Sequence, residues 1–267
     1  MIGIFDSGFG GLTVFKEIKK ALPEYSYIYL GDNLRAPYGG RSQEAIYQFT
    51  VQAVDYLFKQ GCKLIIIACN TASAESLRKL QQEWLQSNYP DCRILGVIRP
   101  VVEEAVKESR FGRIGVVGTK STIKSNAYEK ELKIQNQRSK IYQQACPLLV
   151  PLIEEGMIKN IETKMFVKKC LRPLKEKQID TLILGCTHYP LLMKEFVRQA
   201  GKQVKVLDAP KIIAEKLVDY LKRHSEIELK LQKKQTVKYL TTDSPEKFEE
   251  LGGRFLGSKI KAEKIEL

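Results

Sequence analysis

Short runs of consecutive apolar residues alternate along the chain with longer stretches in which apolar residues recur every three or four positions. Recurrence at that spacing is typical of amphipathic helices, as in SQEAIYQFTVQAVDYLFKQG, where Ile46, Phe49, Ala53 and Leu57 mark one apolar face. The short runs are apolar throughout, which is typical of parallel strands covered on both faces. The pattern therefore predicts an α/β fold with mostly parallel sheets. Its strands are expected at MIGIF, YSYIYLGD, KLIIIA, RILGVI, RIGVVGT, SKIYQQACP and TLILGCT, with two more in the tail.

The second half of the chain repeats the pattern of the first. The segment IGIFDS at 2–7 resembles IGVVGT at 114–119, and KLIIIACNT resembles TLILGCTH in the same way. The spacing is similar too, with 66 residues from Gly3 to Cys69 and 71 from Gly115 to Cys186. We therefore expect an internal duplication that gives two similar domains, related by a pseudo-twofold axis, with the active site in the cleft between them.

The expected domain bounds follow from where this repeat begins and ends. The tail supplies a strand, a helix start at Ser-Pro-Glu and a final strand, and we expect it to pack back onto the first unit. The first α/β domain is therefore predicted to be discontinuous, with residues 1–96 plus 208–267. The second α/β domain is predicted to comprise residues 97–207.

Composition and charge narrow the class of protein. The chain has 267 residues, 43% of them hydrophobic, which is ordinary for a globular protein with a proper core. The start MIGIFDSGFGG lacks the features of a signal peptide, and no apolar run approaches the ~18 residues of a membrane-spanning helix. We therefore expect a cytoplasmic protein with no membrane partner. The net charge of +13 is compatible with nucleic-acid contact, but lysines interleaved with acids favour solvated helix faces, so we do not expect that contact to be the main function.

Two of the six cysteines stand apart from the others. Without a secretory signal, and with ample core residues, the chain is not expected to depend on disulfides. There is no CxxC or HExxH motif, and the pair Cys186 and His188 has no second pair to complete a site, so no metal is predicted. Cys69 and Cys186 each end an apolar strand immediately before a polar helix start. The remaining cysteines, Cys62, Cys92, Cys146 and Cys170, are expected to be small core residues.

Cys69 and Cys186 are placed where α/β proteins bind ligands, beyond the carboxyl ends of parallel strands. A helix N-terminus there is expected to lower the thiol pKa through its free N–H groups and partial positive charge. In two facing domains the thiols would approach a ligand from opposite sides. One thiolate would remove a proton from a stereogenic carbon while the other thiol returned one to the opposite face. Our hypothesis is that the cysteine occurs twice because inversion of a carbon needs two faces.

Polar residues at other strand ends fit the same cleft. The segment DSGFGG brings Asp6 and Ser7 to a helix start, which favours a carboxylate or phosphate, or which is no more than a helix cap. The turn RAPYGGRS offers the N–H groups of Tyr38 and Gly39, or is simply a turn. Glu154 is a candidate for assisting proton transfer, with a solvated helix carboxylate as the alternative. The other polar candidates are Asn70, Thr71, Ser73, Thr119, Ser121, Thr187 and His188.

Seven segments, taken in order, closely resemble glutamate racemases, the cofactor-independent bacterial enzymes of the aspartate/glutamate racemase superfamily. They are DSGFGG, YLGDNLRAPYGG, ACNTAS, GTKSTIKSNAY, VPLIEEG, ILGCTHYPLL and TTDSPEKF, and they extend over essentially the whole chain. The resemblance implies two α/β domains with the active site between them. It also implies interconversion of L-glutamate and D-glutamate without a cofactor, with D-glutamate used for peptidoglycan.

The resemblance further implies roles for individual residues. Cys69 and Cys186 match the catalytic pair, with Cys186 acting on L-glutamate and Cys69 on D-glutamate. Asp6, Glu154 and His188 match residues that assist the thiols. The positions that match substrate-binding residues are Asp6, Ser7, Tyr38, Gly39, Asn70, Thr71, Thr187 and His188. Because the family often forms dimers, a homodimer is expected.

Some positions depart from the family pattern or leave a choice open. Glu155 lies beside Glu154 and is the alternative assisting carboxylate. Arg99, in GVIRPVVE, stands where the family often has an acidic or uncharged residue. It lies at the expected domain junction, so we expect it to affect domain closure or the dimer interface rather than catalysis. The chain starts directly at its first strand, so the N-terminal extension associated with activation by a cell-wall precursor in some relatives is expected to be absent.

Several other functions remain open from the sequence. A racemase acting on aspartate or a related acid would keep the mechanism and change the substrate. A thiol hydrolase or amidase predicts that only one of Cys69 and Cys186 matters and that a covalent intermediate forms. A basic binding protein predicts salt-sensitive DNA binding that survives loss of both thiols. A pyridoxal-dependent racemase is compatible with the composition, but nothing in the sequence demands a cofactor lysine.

Overall fold

Two sheets, each entirely parallel, form the framework of the protein. The structure is a computed structural model that describes all residues 1–267. The strands are β1 (Ile2–Asp6), β2 (Tyr27–Gly31), β3 (Leu64–Ile67), β4 (Arg93–Gly96), β5 (Arg113–Gly118), β6 (Lys140–Ala145), β7 (Thr181–Gly185), β8 (Lys205–Val206), β9 (Val237–Thr241) and β10 (Ala262–Lys264). The first sheet has the order β10-β9-β2-β1-β3-β4 and the second the order β6-β5-β7-β8. We refer to the parts of the chain built on these sheets as the first and the second domain.

Helices fill the connections between the strands. They are α1 (Leu12–Ala21), α2 (Gln43–Lys59), α3 (Asn70–Lys79), α4 (Leu85–Asn88), α5 (Ile98–Glu108), α6 (Lys120–Lys124), α7 (Ala127–Gln135), α8 (Leu149–Glu154), α9 (Ile161–Glu176), α10 (Met193–Ala200), α11 (Ala209–Arg223), α12 (Ser225–Glu228) and α13 (Pro245–Leu256). Short 3₁₀ turns lie at Tyr38–Gly40, Met157–Lys159 and Tyr189–Leu192, and a π-helical turn at Leu80–Trp84 joins α3 to α4. None of the helices combines the length and apolarity that crossing a membrane requires.

The two sheets repeat one strand order, as the duplicated sequence pattern predicts. In the first sheet β1 lies between β2 and β3 with β4 outside, and in the second β5 lies between β6 and β7 with β8 outside. Matching glycines lie in the two central strands. A Cβ on Gly3 would lie 3.2 Å from Leu57 of α2, and one on Gly115 would lie 3.4 Å from Leu174 of α9. In each half the helix that leads to the next strand packs closely at this point, so the predicted α/β fold with two similar parallel sheets is confirmed.

The tail of the chain completes the first sheet. Strand β9 pairs with β2, with Tyr239 opposite Tyr29, and β10 pairs with β9. The tail therefore packs onto the first unit, as expected. The domain bounds 1–96 plus 208–267 and 97–207 stay a prediction.

The central strands of the first sheet are buried on both faces. Ile4 and Ile66 point into a core shared with the second domain, whereas Phe5 and Ile67 point into a separate core under α2. Because both faces are filled with apolar side chains, polar chemistry can occur only where the strands end. Asp6 is the first such residue, at the last position of β1, and it is fully buried.

Candidate active site

A cavity of about 40 Å³ lies between the carboxyl ends of the two sheets. Both domains contribute to its wall, and every sequence-predicted catalytic or substrate-binding residue lines it except Asp6, which lies directly behind. The lining residues are Ser7, Gly8, Ala36, Pro37, Tyr38, Gly39, Cys69, Asn70 and Thr71 from the first domain and Thr119, Val150, Glu154, Cys186, Thr187 and His188 from the second. Two cysteines separated by more than a hundred residues therefore share one cavity.

Cys69 forms the N-cap of α3 and is surrounded by neutral donors. Its Sγ accepts a hydrogen bond from the N–H of Ala72 at 3.4 Å and lies 3.4 Å from the Oγ of Ser7. Burial raises the pKa of the Cys69 thiol to about 12, and the carboxyl group of Asp6 acts in the same direction. The two donors oppose this rise but do not outweigh the loss of water. The expectation that the helix N-terminus lowers the thiol pKa is therefore wrong for Cys69 in the closed cavity.

Cys186 has a different environment. It follows β7 directly, but a 3₁₀ turn at Tyr189–Leu192 comes next and α10 begins only at Met193. The prediction that a helix begins directly after this thiol is therefore wrong, because a 3₁₀ turn lies between the thiol and the helix. Instead of helix N–H groups, the Sγ of Cys186 has the Nδ1 of His188 at 3.9 Å. The two thiols thus occupy matching positions in the fold but have different partners.

His188 connects Cys186 to a carboxylate. Its Nε2 lies 2.9 Å from the Oε1 of Glu154, while the neighbouring Glu155 is exposed at the end of α8. The geometry therefore selects Glu154 rather than Glu155. Burial alone would lower the pKa of His188, but hydrogen bonds with Cys186 and Glu154 raise it to about 10.

We expect His188 to stay protonated well above the ordinary histidine pKa of ~6.5, and Glu154→Gln to bring its pKa down. The chain has only two histidines, so NMR titration of the imidazole protons, assigned with a His224→Gln variant, measures this directly. Because the folded pKa lies above the unfolded one, the associated stability is complete below about pH 6.5 and is lost as the pH rises towards 10.

The matched control for this titration is Glu155→Gln, which removes a carboxylate one residue away that does not contact the imidazole. It is expected to leave the His188 titration in place. A His188 that titrates near 6.5 in the unmodified protein would contradict the ion pair with Glu154.

Asp6 joins the two domains from behind the cavity. Its Oδ2 accepts a hydrogen bond from the N–H of Gly8 at 2.9 Å, and its Oδ1 accepts one from the Oγ1 of Thr187 at 3.4 Å. Burial raises the pKa of this carboxyl group, although the nearby His188 acts in the opposite direction. A second contact runs in parallel, because the Oγ1 of Thr13 donates to the backbone oxygen of Thr187 at 2.9 Å. The segment from Asp6 to Thr13 therefore holds the loop that follows Cys186.

The loop that carries Tyr38 and Gly39 lines the cavity. The hydroxyl of Tyr38 donates to Asp32 within the first domain, so it is not free for a ligand. Asp32 also accepts a hydrogen bond from Thr242 at 2.8 Å, which connects the segment TTDSPEKF to the loop that carries Tyr38. Sequence reasoning missed Asp32, although it lies within the quoted segment YLGDNLRAPYGG.

Hydroxyl groups from both domains meet at the other side of the cavity. The Oγ1 of Thr71 lies 3.0 Å from that of Thr119 and 3.1 Å from that of Thr122. Two other candidates point elsewhere. Ser121 donates to the Oε1 of Glu75 at 2.5 Å, and Ser73 donates to a backbone oxygen of β3. Ser121 and Ser73 therefore lie outside the cavity, and the buried Thr122 is a contact that the sequence did not indicate.

The remaining cysteines and the acidic residues form no further centre. All six cysteines are free thiols. No group of three or more histidine, cysteine or acidic side chains is arranged to hold a metal ion.

A larger groove of about 700 Å³ lies at the junction of the domains, between α3, α5, α7 and α11. It contains neither cavity cysteine. Arg99 lies on its wall, where its exposed guanidinium pairs with Glu103 at 3.2 Å. The effect of Arg99 on closure or on a dimer stays a prediction.

Known proteins share both this sequence and this fold. The sequence matches the Asp/Glu/Hydantoin racemase family over residues 2–217. The glutamate racemase of Persephonella marina is 43% identical over 266 residues, which cover 100% of this chain and 97% of that protein. The crystal structure of glutamate racemase isoform RacE1 from Bacillus anthracis superimposes with a TM-score of 0.92 at 38% identity and covers 100% of this chain and 97% of its own. The crystal structure of Francisella tularensis glutamate racemase in complex with D-glutamate superimposes with a TM-score of 0.88 at 33% identity. It covers 99% of this chain and 97% of its own.

The repeated parallel sheets, the shared cavity and these similarities define an amino-acid racemase, which is an isomerase. The chain belongs to the Asp/Glu/Hydantoin racemase family, in the group formed by the glutamate racemases.

Proposed function

We propose that the protein interconverts L-glutamate and D-glutamate by proton transfer at Cα between two cysteines, without a cofactor. The observation that carries this proposal is that Cys69 and Cys186 line one small cavity from the strand ends of two similar sheets. A carbon held between them has an acid–base group on each side. The relative from Francisella tularensis, crystallised with D-glutamate, supports glutamate as the substrate.

The proposed step consists of two proton transfers at one carbon. With L-glutamate bound, the Cys186 thiolate takes the α-proton and the Cys69 thiol gives its proton to the opposite face of the same carbon. The products are D-glutamate, a Cys186 thiol and a Cys69 thiolate. The same two transfers in reverse convert D-glutamate into L-glutamate, with Cys69 as the base. This assignment of directions follows from the resemblance to glutamate racemases.

The two thiolates would be stabilised by different neighbouring groups. A protonated His188, held by Glu154, places positive charge beside Cys186. Cys69 has only neutral donors, from Ser7 and the N-terminus of α3. The raised pKa of Cys69 makes its thiolate a stronger base towards D-glutamate and its thiol a weaker acid in the opposite direction.

The cavity is suited to carboxylates even though no lysine or arginine lines it. Its donors are side chains and N–H groups from both domains, including Asn70, Thr71, Thr119 and Thr187. The N-terminus of α3 adds partial positive charge beside Asn70 and Thr71. An acidic amino acid with a carboxylate at each end would therefore find donors on both sides.

The size of the cavity implies that binding requires motion. A volume of about 40 Å³ is on the order of the space taken by one or two water molecules, and an amino acid needs several times more. We infer that the two domains move apart for substrate to reach the thiols. Closure around the substrate would then exclude water from the reacting carbon.

Exchange in heavy water tests the proposal. The reduced protein is incubated with L-glutamate, D-glutamate, L-aspartate or D-aspartate without added cofactor, and α-deuterium and optical rotation are followed. We expect deuterium at Cα of the enantiomer formed from either form of glutamate. Exchange with aspartate alone would keep the mechanism and change the substrate. No exchange with any of the four would contradict the racemase and favour the thiol hydrolase, which a trapped acyl-enzyme would then reveal.

We also propose a cellular role and an oligomeric state for the protein. The D-glutamate product would supply peptidoglycan synthesis in the cytoplasm, and the protein would act as a homodimer. The resemblance to bacterial glutamate racemases supports the role in peptidoglycan synthesis and the homodimer. Growth of a D-glutamate-requiring bacterial strain on expression of this protein tests the first, and light scattering on the purified protein tests the last.

A further inference from the structure

Tyr128 contacts residues adjacent to both cavity cysteines. It lies in α7 of the second domain, and its side chain is 1% exposed. Its hydroxyl donates to the Oδ1 of Asn70, the residue after Cys69, at 2.6 Å. Its ring packs on Gly185, the residue before Cys186, so closely that a Cβ there would lie 3.0 Å from the ring. This one side chain therefore contacts both of the loops that carry the thiols.

The hydrogen bond also fixes which end of the Asn70 amide faces the cavity. Burial raises the pKa of Tyr128, so its hydroxyl stays protonated and must donate its proton. The Oδ1 of Asn70 is its only acceptor, and reversing the amide would leave that buried proton unpaired. With Oδ1 engaged, the Nδ2 group makes no hydrogen bond within the protein, while the side chain lines the cavity.

We propose that Tyr128 is a positioning residue that orients Asn70 so that its Nδ2 donates to a carboxylate of the substrate. Because Tyr128 and Asn70 belong to different domains, the donor is oriented only when the domains close. This inference rests on the proposed racemase function and adds to it a group that the substrate itself need not touch.

Neighbouring contacts show that this bond is part of a larger closed interface. Three other residues of α3 also contact the second domain. Thr71 contacts Thr119, Glu75 accepts from Ser121, and Arg78 pairs with Glu131. Together with Asn70 they lie on one side of the helix. Two contacts lie at the cavity end of this row, the one between Thr71 and Thr119 and the bond from Tyr128, and the second of them engages the Asn70 amide when the domains close.

The variant Tyr128→Phe removes the hydroxyl and keeps the ring. We expect the KM for both enantiomers of glutamate to rise about tenfold, with kcat changed by less than about threefold, because one donor to a charged group is lost equally in the bound and transition states. The matched control is Tyr27→Phe. That hydroxyl is equally buried and donates to the backbone oxygen of Leu22 at 2.5 Å in the first domain, away from the cavity. It is expected to lower the Tm without changing KM.

A second variant tests the orientation without removing the tyrosine bond. Asn70→Asp keeps an oxygen for Tyr128 but replaces the donor with an acceptor, so it is expected to fold and to raise KM more than Tyr128→Phe does. A wild-type KM in either variant, with the Tm reduced as in Tyr27→Phe, would overturn the inference and leave racemisation intact. Absence of α-deuterium exchange in the unmodified protein would instead overturn the proposed function.

Discussion

Replacing either Cys69 or Cys186 with serine is expected to lower the rate of glutamate racemisation in both directions by roughly 10²–10⁴-fold. In the proposed mechanism each turnover uses one thiolate as base and the opposite thiol as acid, so a single intact thiol cannot complete inversion. A serine hydroxyl fits the same space but is far more weakly acidic than a thiol. Both variants are expected to keep the fold, because the change is nearly isosteric.

The measurement is the initial rate of optical inversion from each enantiomer, with α-deuterium exchange followed in parallel. Cys62→Ser is the matched control, since Cys62 is a buried thiol that lies in the core under α2 and outside the cavity. It is expected to change stability more than rate. Full activity in either the Cys69 or the Cys186 variant would contradict the two-base mechanism and favour a single nucleophilic cysteine.

Adding one methyl group at Gly10 is expected to lower kcat/KM by at least about 10²-fold, through closure rather than chemistry. A Cβ at this position would lie 2.3 Å from the Oγ1 of Thr187 and 2.5 Å from the Nδ1 of His188. Those atoms belong to the loop after Cys186, on the opposite domain. In Gly10→Ala the two thiols would therefore be held too far apart to share one carbon.

The matched control is Gly40→Ala, because a Cβ at Gly40 would meet nothing within 4 Å. Steady-state kinetics and thermal unfolding of the two variants separate the effects. Gly10→Ala is expected to keep a Tm close to that of the control, since its clash lies between domains and not within a sheet. Equal kcat/KM in the two variants would show that the domains need not approach as closely as they do here.

The fold was accessible from the sequence because its signals are local. Strands such as KLIIIA and TLILGC are apolar at every position, which is the pattern of strands covered on both faces. The repeat of IG at the central strand of each half identified two similar sheets, and the carboxyl ends of those strands identified the cavity residues. The resemblance to glutamate racemases, and not the strand pattern, placed Glu154 in the site, and it did not separate Glu154 from Glu155. That choice depends on which side of α8 faces His188.

The properties that escaped prediction depend on groups distant in sequence. The pKa of Cys69 is set by burial under the second domain, so the local helix start gave the wrong direction. Asn70 and Tyr128 lie 58 positions apart, and Asp32 and Thr242 lie 210 apart. No spacing rule joins such partners in a single sequence. The polar residues Thr187 and His188 after Cys186 are compatible with a helix start and also with the 3₁₀ turn that follows at Tyr189–Leu192.

The position of β9 bears on how a newly made chain acquires activity. The second sheet has all its strands once Val206 is made, whereas the first waits for Val237–Thr241 to pair with the edge of β2. At synthesis rates of ~5–20 residues per second, that edge stays unpaired for about 10–40 s after β2 emerges. An unpaired strand edge invites pairing with other chains. The domain that carries Cys69 is therefore completed last. Until then the free edge of β2, which β9 later covers, is the site where the growing chain is exposed longest to aggregation.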